Sequence, residues 1–129
     1  YLVIPVRDKS VLDKINVEFC MLSAACSLLD VTGVHVFYLP EKNSDKVYSR
    51  NFAPLVGIGE EPAAGTASGA LIYYLKKNGL ISSNMITSLQ GESLKRPSKV
   101  YCFIEEDGDS YKVKVGGNAN IVMEGILKY

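Results

Sequence analysis

The stretch that most restricts this chain runs from Gly65 to Leu75, GTASGALIYYL, an apolar helical run with no polar face. Pro62 holds Glu61 in extended geometry, so the helix has to begin after the proline. Lys76 and Lys77 fall in its last turn, where cations suit the helix dipole, and Gly79 is a natural terminator. A helix of this kind must be covered on all sides. A strongly curved sheet wrapped around one helix meets that demand.

The flanking segments supply strands for such a sheet. Tyr1 to Val6 is short and apolar, and Pro5 marks it as an edge. Ser10 to Asp13 has capping-box spacing, with Asp in place of Glu, and opens a short helical turn; Asn16 is a second N-cap candidate. Phe19, Leu22, Cys26 and Leu29 recur at helical spacing, an amphipathic helix that ends before Gly33. Val34 to Leu39 and Lys46 to Phe52 read as a hairpin across the polar turn from Glu41 to Asp45. Met85 to Gln90 and Lys99 to Ile104 are further strands. The acidic run from Glu105 to Asp109 lacks calcium-loop spacing and reads as a hairpin turn, with Asp107-Gly108 at its tip. Beyond it Tyr111, Val113 and Val115 point in, Lys112 and Lys114 point out, and Ile121 to Leu127 is read as the last strand. The order is β-α-α-β-β-α-(short α)-β-β-β-β. The expected fold is α+β, a barrel-like mixed or antiparallel sheet wrapped around one central apolar helix, and not a doubly wound parallel fold.

A length of 129 residues fits a single domain, residues 1–129, with a sizeable core. The chain carries 14 basic and 14 acidic residues, and no basic cluster is longer than Lys76-Lys77. Nucleic acid is therefore not an expected partner, because phosphate binding needs a basic face. No apolar run reaches the roughly 18 residues of a membrane span. Cys20, Cys26 and Cys102 sit in apolar contexts and read as buried free thiols in a reducing compartment, which implies a cytoplasmic location. His35 is the only histidine, so no metal site is expected. The chain opens on a strand-like run without Met and reads as a piece of a longer polypeptide cut at a domain boundary.

Chemistry is concentrated between Glu60 and Gly69. Two glycines inside a helix each cost about 1 kcal/mol relative to alanine, which close packing or a close ligand would justify. The free N–H groups of Gly65, Thr66 and Ala67, aided by the helix dipole, form an anion site, and the Thr66 hydroxyl adds a donor. A small-molecule carboxylate would fit there, and so would a cap from Glu60 or Glu61. Equally, the small residues could pack a buried helix against strands, with Glu60 and Glu61 in a solvated turn. His35 reads as a packed or rim histidine, and Tyr73 and Tyr74 as core aromatics. Arg50 and Arg96 could each contact a substrate or tie a loop to a carboxylate.

From Arg50 to Leu71 the chain reads RNFAPLVGIGEEPAAGTASGAL, which resembles R-x-F-A-P-x-x-G-I-x-E-D-P-A-T-G-S-A-x-G-x-L, the signature of the PhzF-like isomerase family. Gln90-Gly91 with Arg96-Pro97-Ser98, then Val115-Gly116-Gly117-Asn118-Ala119 and Gly125, follow that family's order, as does LVIPV at the start. The resemblance implies a diaminopimelate-epimerase-like fold of two similar halves with the active site between them. This chain is similar to the C-terminal half. In the family the principal acid/base glutamate and a histidine come from the other half. The family's aspartate falls on Glu61, its serine on Thr66, and its threonine on Ala64. Glu61 thus adds a methylene, Thr66 keeps hydroxyl and N–H, and Ala64 loses a donor.

The function implied is a cofactor-independent isomerase acting by proton transfer on a small carboxylated metabolite. Glu61 would be catalytic, and Gly65, Thr66 and Ala67 would bind the substrate carboxylate. The cysteine-based mechanism of epimerases with this fold is not expected, since no cysteine lies near Gly65 in sequence. The resemblance also implies a partner, either the N-terminal half or a second copy in a homodimer. The alternative is a non-catalytic binding or structural module derived from the same fold, which the departures at Glu61, Thr66 and Ala64 would suit.

Overall fold

The computed structural model describes residues 1–108 and 110–128. Its elements are β1 (Leu2–Pro5), α1 (Lys9–Asp13), α2 (Phe19–Leu28), β2 (Val34–Tyr38), β3 (Lys46–Ala53), a 3-10 turn (Pro54–Val56), β4 (Ile58–Glu61), α3 (Gly65–Lys77), β5 (Met85–Gln90), β6 (Ser98–Asp107) and β7 (Ser110–Gly116). Seven strands form one sheet in the order β1-β2-β3-β5-β6-β7, with β4 paired to β3. The pairs β1–β2 and β3–β5 are parallel and the others antiparallel. Because α3 touches β1 and β2 near one edge and β6 and β7 at the other, the sheet has to curl around it. The α+β half-barrel expected from the sequence is the architecture observed, and Pro5 lies on an edge strand as expected.

Two cores hold the sheet, one on each face. Inside the curl, Leu71, Ile72 and Leu75 of α3 are fully buried against Phe37, Val47 and Ile86. Full burial of each such side chain contributes roughly 1.5–3 kcal/mol. On the outer face Leu12 and Cys26 cover Val34, Val36 and Phe52. Both glycines of α3 lie against β7: a Cβ at Gly69 would stand 3.4 Å from Val113 Cγ1 and one at Gly65 3.6 Å from Val115 Cγ2, ordinary contact distances that do not themselves demand glycine. Tyr111, Val113 and Val115 therefore face α3, as the alternation predicts. No helix is long and apolar enough to cross a membrane among the described residues.

Several local expectations are corrected. Asp8, not Ser10, caps α1, accepting the Val11 N–H at 2.8 Å, because the helix starts two residues earlier than the capping-box spacing suggests. Asn16 caps nothing: α2 begins after Glu18, whose side chain makes no cap bond. Cys20 is exposed, since only Cys26 of α2 is fully buried. No short helix follows α3 before β5 among the described residues. Ile58–Glu61 is a strand and not a turn, because β3 offers it a free edge beyond the end of β5.

Two further corrections concern cover. Tyr73 on α3 is 37% exposed, so the helix is not enclosed on every side: β7 is the last strand in the described residues. Residues 117–128 form no regular element, and Ile121, Val122, Met123, Ile126 and Leu127 are 81–94% exposed. The reason is that a strand needs a partner for its backbone groups, and none is offered to this segment within the described residues. The hairpin turn between β6 and β7 is observed at Asp107-Gly108; Asp109 lies outside the described residues.

Gly91 ties the loop after β5 to the segment before α3. Its φ is +76°, its carbonyl accepts the N–H groups of Leu94 and Arg96, and an added Cβ would fall on the Arg96 carbonyl oxygen, 2.9 Å from that of Pro62. Gly91→Ala is therefore expected to lower unfolding free energy by about 2–3 kcal/mol. A chemical denaturation midpoint equal to that of the unsubstituted protein would refute this.

Candidate active site at the start of the central helix

Neighbouring residues on a strand point to opposite faces of the sheet, and β4 uses this to separate its two carboxylates. Glu60 goes to the outer face. Arg50 donates from Nε and Nη2 to its two oxygens at 2.8 Å each, and Ser93 Oγ donates to Oε1 at 2.6 Å. The same guanidinium donates from Nη1 to the carbonyls of Leu12 (3.0 Å) and Ile15 (2.9 Å) and lies over the Phe52 ring at 5.0 Å. Burial pushes the Glu60 carboxyl up, but the hydrogen bonds from Arg50 and Ser93 outweigh it and hold the group below its ordinary range. Of the two roles open to Arg50, the structure shows the tie to a carboxylate.

Glu61 goes to the inner face. Its Cα pairs with that of Asn51 on β3, and Asn51 pairs with His35 on β2. The side chains of these three residues form one row across the strands. Glu61 is half-buried, while Asn51 and His35 are fully buried, and His35 Nδ1 lies 3.1 Å from Asn51 Oδ1. Burial pushes His35 down to about 4 against a smaller opposing effect of the Asn51 hydrogen bond, so the ring is neutral at pH 7. The packed reading of this histidine holds.

The start of α3 is fixed from the sheet. Gln90 Oε1 accepts the Ala64 N–H at 3.0 Å, and its Nε2 donates to Ser68 Oγ (2.6 Å) and Ser88 Oγ (3.0 Å). Ser68 Oγ in turn donates to the Ala64 carbonyl at 2.7 Å, and Ser88 pairs with Ser49 at 2.7 Å. Every hydrogen-bonding group of the buried Gln90 amide is thus used, which sets its orientation. The network takes the N–H that precedes the helix and leaves those of Gly65, Thr66 and Ala67 as the unpaired donors of the first turn.

Gly65 opens on a cavity of about 600 Å³ lined also by Ala63, Ser98, Lys99, Tyr101, Val115 and Asn118. Thr66 is exposed beside it, whereas Ala67 has no exposed surface. Gly65 and Thr66 are therefore reachable by a small molecule, Glu61 is half-buried and does not line this cavity, and the Ala67 N–H is closed off by packing. Tyr74 packs edge-on against Phe37 at 5.7 Å, as a core aromatic should; Tyr73 meets Tyr111 edge-on at 5.5 Å but stays open. Asn51, Gln90, Ser68 and Ser93 were not legible as site residues. A polar residue at an inward position of a strand is the signal for Asn51, but only the register shows which neighbours it meets.

The family profile described as phenazine biosynthesis-like protein (PhzC-PhzF) matches residues 1–125. An uncharacterized isomerase of Deinococcus radiodurans is 32% identical over 128 residues, covering 95% of this chain and 41% of that protein. The trans-2,3-dihydro-3-hydroxyanthranilate isomerase of Pseudomonas aeruginosa is 37% identical over 79 residues, covering 60% and 28%. Among solved structures, a phenazine biosynthesis protein of the PhzF family from Bacillus anthracis superposes with a TM-score of 0.69 at 21% identity, covering 88% of this chain and 40% of that one. The chain thus spans less than half the length of each of these three proteins. With this profile match across nearly its whole length, the chain belongs to the phenazine biosynthesis-like (PhzC-PhzF) isomerase family.

Proposed function

We propose that this chain is the C-terminal half of a cofactor-independent isomerase that moves a proton on a small carboxylated metabolite. The observation that carries the reading is the separation of the two carboxylates of β4. Glu60 is consumed by Arg50, while Glu61, with no side-chain hydrogen bond among the described residues, goes to the sheet face that α3 covers. The substrate carboxylate would rest on the N–H groups of Gly65 and Thr66, a preorganised anion seat. A carboxyl group of the other half would take the proton from carbon. Glu61 would orient the substrate's amine or hydroxyl, or return the proton as a second acid.

Association is part of this proposal. The exposed apolar residues of segment 117–128 and of α3 favour a covering partner, either the N-terminal half or a second copy in a homodimer. The free cysteines are consistent with a reducing, cytoplasmic setting.

The test uses the full-length protein with trans-2,3-dihydro-3-hydroxyanthranilate as the first trial substrate, because a 37% identical relative is an isomerase of that compound. Glu61→Gln should reduce turnover by at least about a hundredfold, the scale of losing one positioned acid or base. Full turnover in the variant would remove Glu61 from the mechanism.

A further inference from the structure

The proposed mechanism leaves one buried polar pair unused. His35 and Asn51 are both 0% exposed, yet His35 Nε2 and Asn51 Nδ2 have no hydrogen-bond partner among the described residues. A buried amide N–H without an acceptor is costly enough that such groups are rare and call for a reason. The surrounding strands suggest one. β2 lies along one side of β3, and β4 lies along the other side at Asn51. Asn51 Oδ1 is engaged on the β2 side by the His35 ring. The amide nitrogen is then left for the β4 side, where the directly opposed residue is Glu61.

Directly opposed side chains on one sheet face have Cβ atoms about 4.5–5.5 Å apart. A rotation of the Glu61 side chain therefore brings its carboxylate to the Asn51 amide. Competing acceptors and donors nearby are already committed: Arg50 and Ser93 serve Glu60 on the other face, and the Ala64 N–H serves Gln90. A glutamate also has one more rotatable bond than an aspartate, so it gains more from an anchor.

We propose that Asn51 is a positioning residue for Glu61: its amide N–H donates to the Glu61 carboxylate, and His35 holds the amide so that the nitrogen faces β4. The inference rests on the reading that Glu61 acts on the substrate, but the contact itself can be observed without any substrate.

Two measurements on the full-length protein decide it. The first follows the side-chain amide resonances of Asn51 by nuclear magnetic resonance. Glu61→Gln, which removes the charge that the amide meets, should move them well beyond the shifts seen at distant asparagines; unmoved resonances overturn the contact. The second compares kinetics on trans-2,3-dihydro-3-hydroxyanthranilate. Asn51→Leu, which keeps the branched four-atom side chain but has no amide, should lower kcat about tenfold with KM within about twofold, the loss expected when a catalytic group is displaced but substrate binding is kept. Asn51→Leu with kcat intact would overturn the positioning role while leaving the Glu61 assignment standing. Full activity in Glu61→Gln would instead overturn the assignment of Glu61, and the resonance measurement would still judge the contact.

Discussion

Arg50→Met should lower the free energy of unfolding by about 3–5 kcal/mol, the range for removing one partner of a buried ion pair. The pair qualifies as buried, because the side chains of Arg50 and Glu60 are only 11% and 10% exposed. The substitution strands Glu60 with Ser93 as its sole donor and frees the carbonyls of Leu12 and Ile15 at the end of α1. It also removes the cation from the Phe52 ring. Replacing both charges, Arg50→Met with Glu60→Leu, should recover much of the loss, since no unpaired charge then remains inside. The two variants, unfolded side by side in urea, check this; a single variant as stable as the parent would show the pair to be idle. The pair also carries a pH dependence. Glu60 titrates lower in the folded state than its ordinary 4.5, so its contribution is fully present above pH 4.5 and is lost as the pH falls through the folded value.

His35 produces the second large effect, in a different window. An unfolded chain protonates this histidine near its ordinary value of 6.5, while the buried ring holds out to about 4. Between these values the unfolded state binds one more proton than the folded state, so stability rises with pH. On acidification the fold should lose about 3 kcal/mol in total across that window, at 1.36 kcal/mol for each pH unit. His35→Gln keeps an amide that can reach Asn51 but cannot titrate. Its unfolding free energy should be flat from pH 6.5 to 4.5, where the Glu60 contribution is fully present and does not change with pH. An unchanged slope in that variant would show that another group is responsible.

The residues differ in how far they could be read without coordinates. Pro62, Lys76, Lys77 and Gly79 bound α3 as expected, because the features that start and stop a helix are local in the chain. Strand alternation at Tyr111, Val113 and Val115 was legible for the same reason, since it follows from the backbone period alone. The final strand was not: Ile121 to Leu127 has the composition of a strand, but pairing is a property of neighbours, and none among the described residues pairs with that segment. Cys20 and Tyr73 were misread toward burial, because a face of a helix is apolar whether or not something lies over it. β4 was missed because a short segment between a glycine and a proline carries no periodic signal.

At the candidate site the division is sharper. The motif from Arg50 to Leu71 by itself determined the family, the place of the central helix and the set of residues worth weighing, since these depend on residue types and their order. Tertiary structure alone decided what each of them meets. Glu60 and Glu61 are chemically the same in sequence, and β4 sends one into a salt bridge with Arg50 and the other to the helix start. Ala67 closes against the sheet while Gly65 stays open, and Asn51 acquires a place beside Glu61 through the register of three strands. The physical reason is common to all: a local pattern fixes backbone conformation, whereas partners are fixed by which face and which neighbour the completed sheet presents.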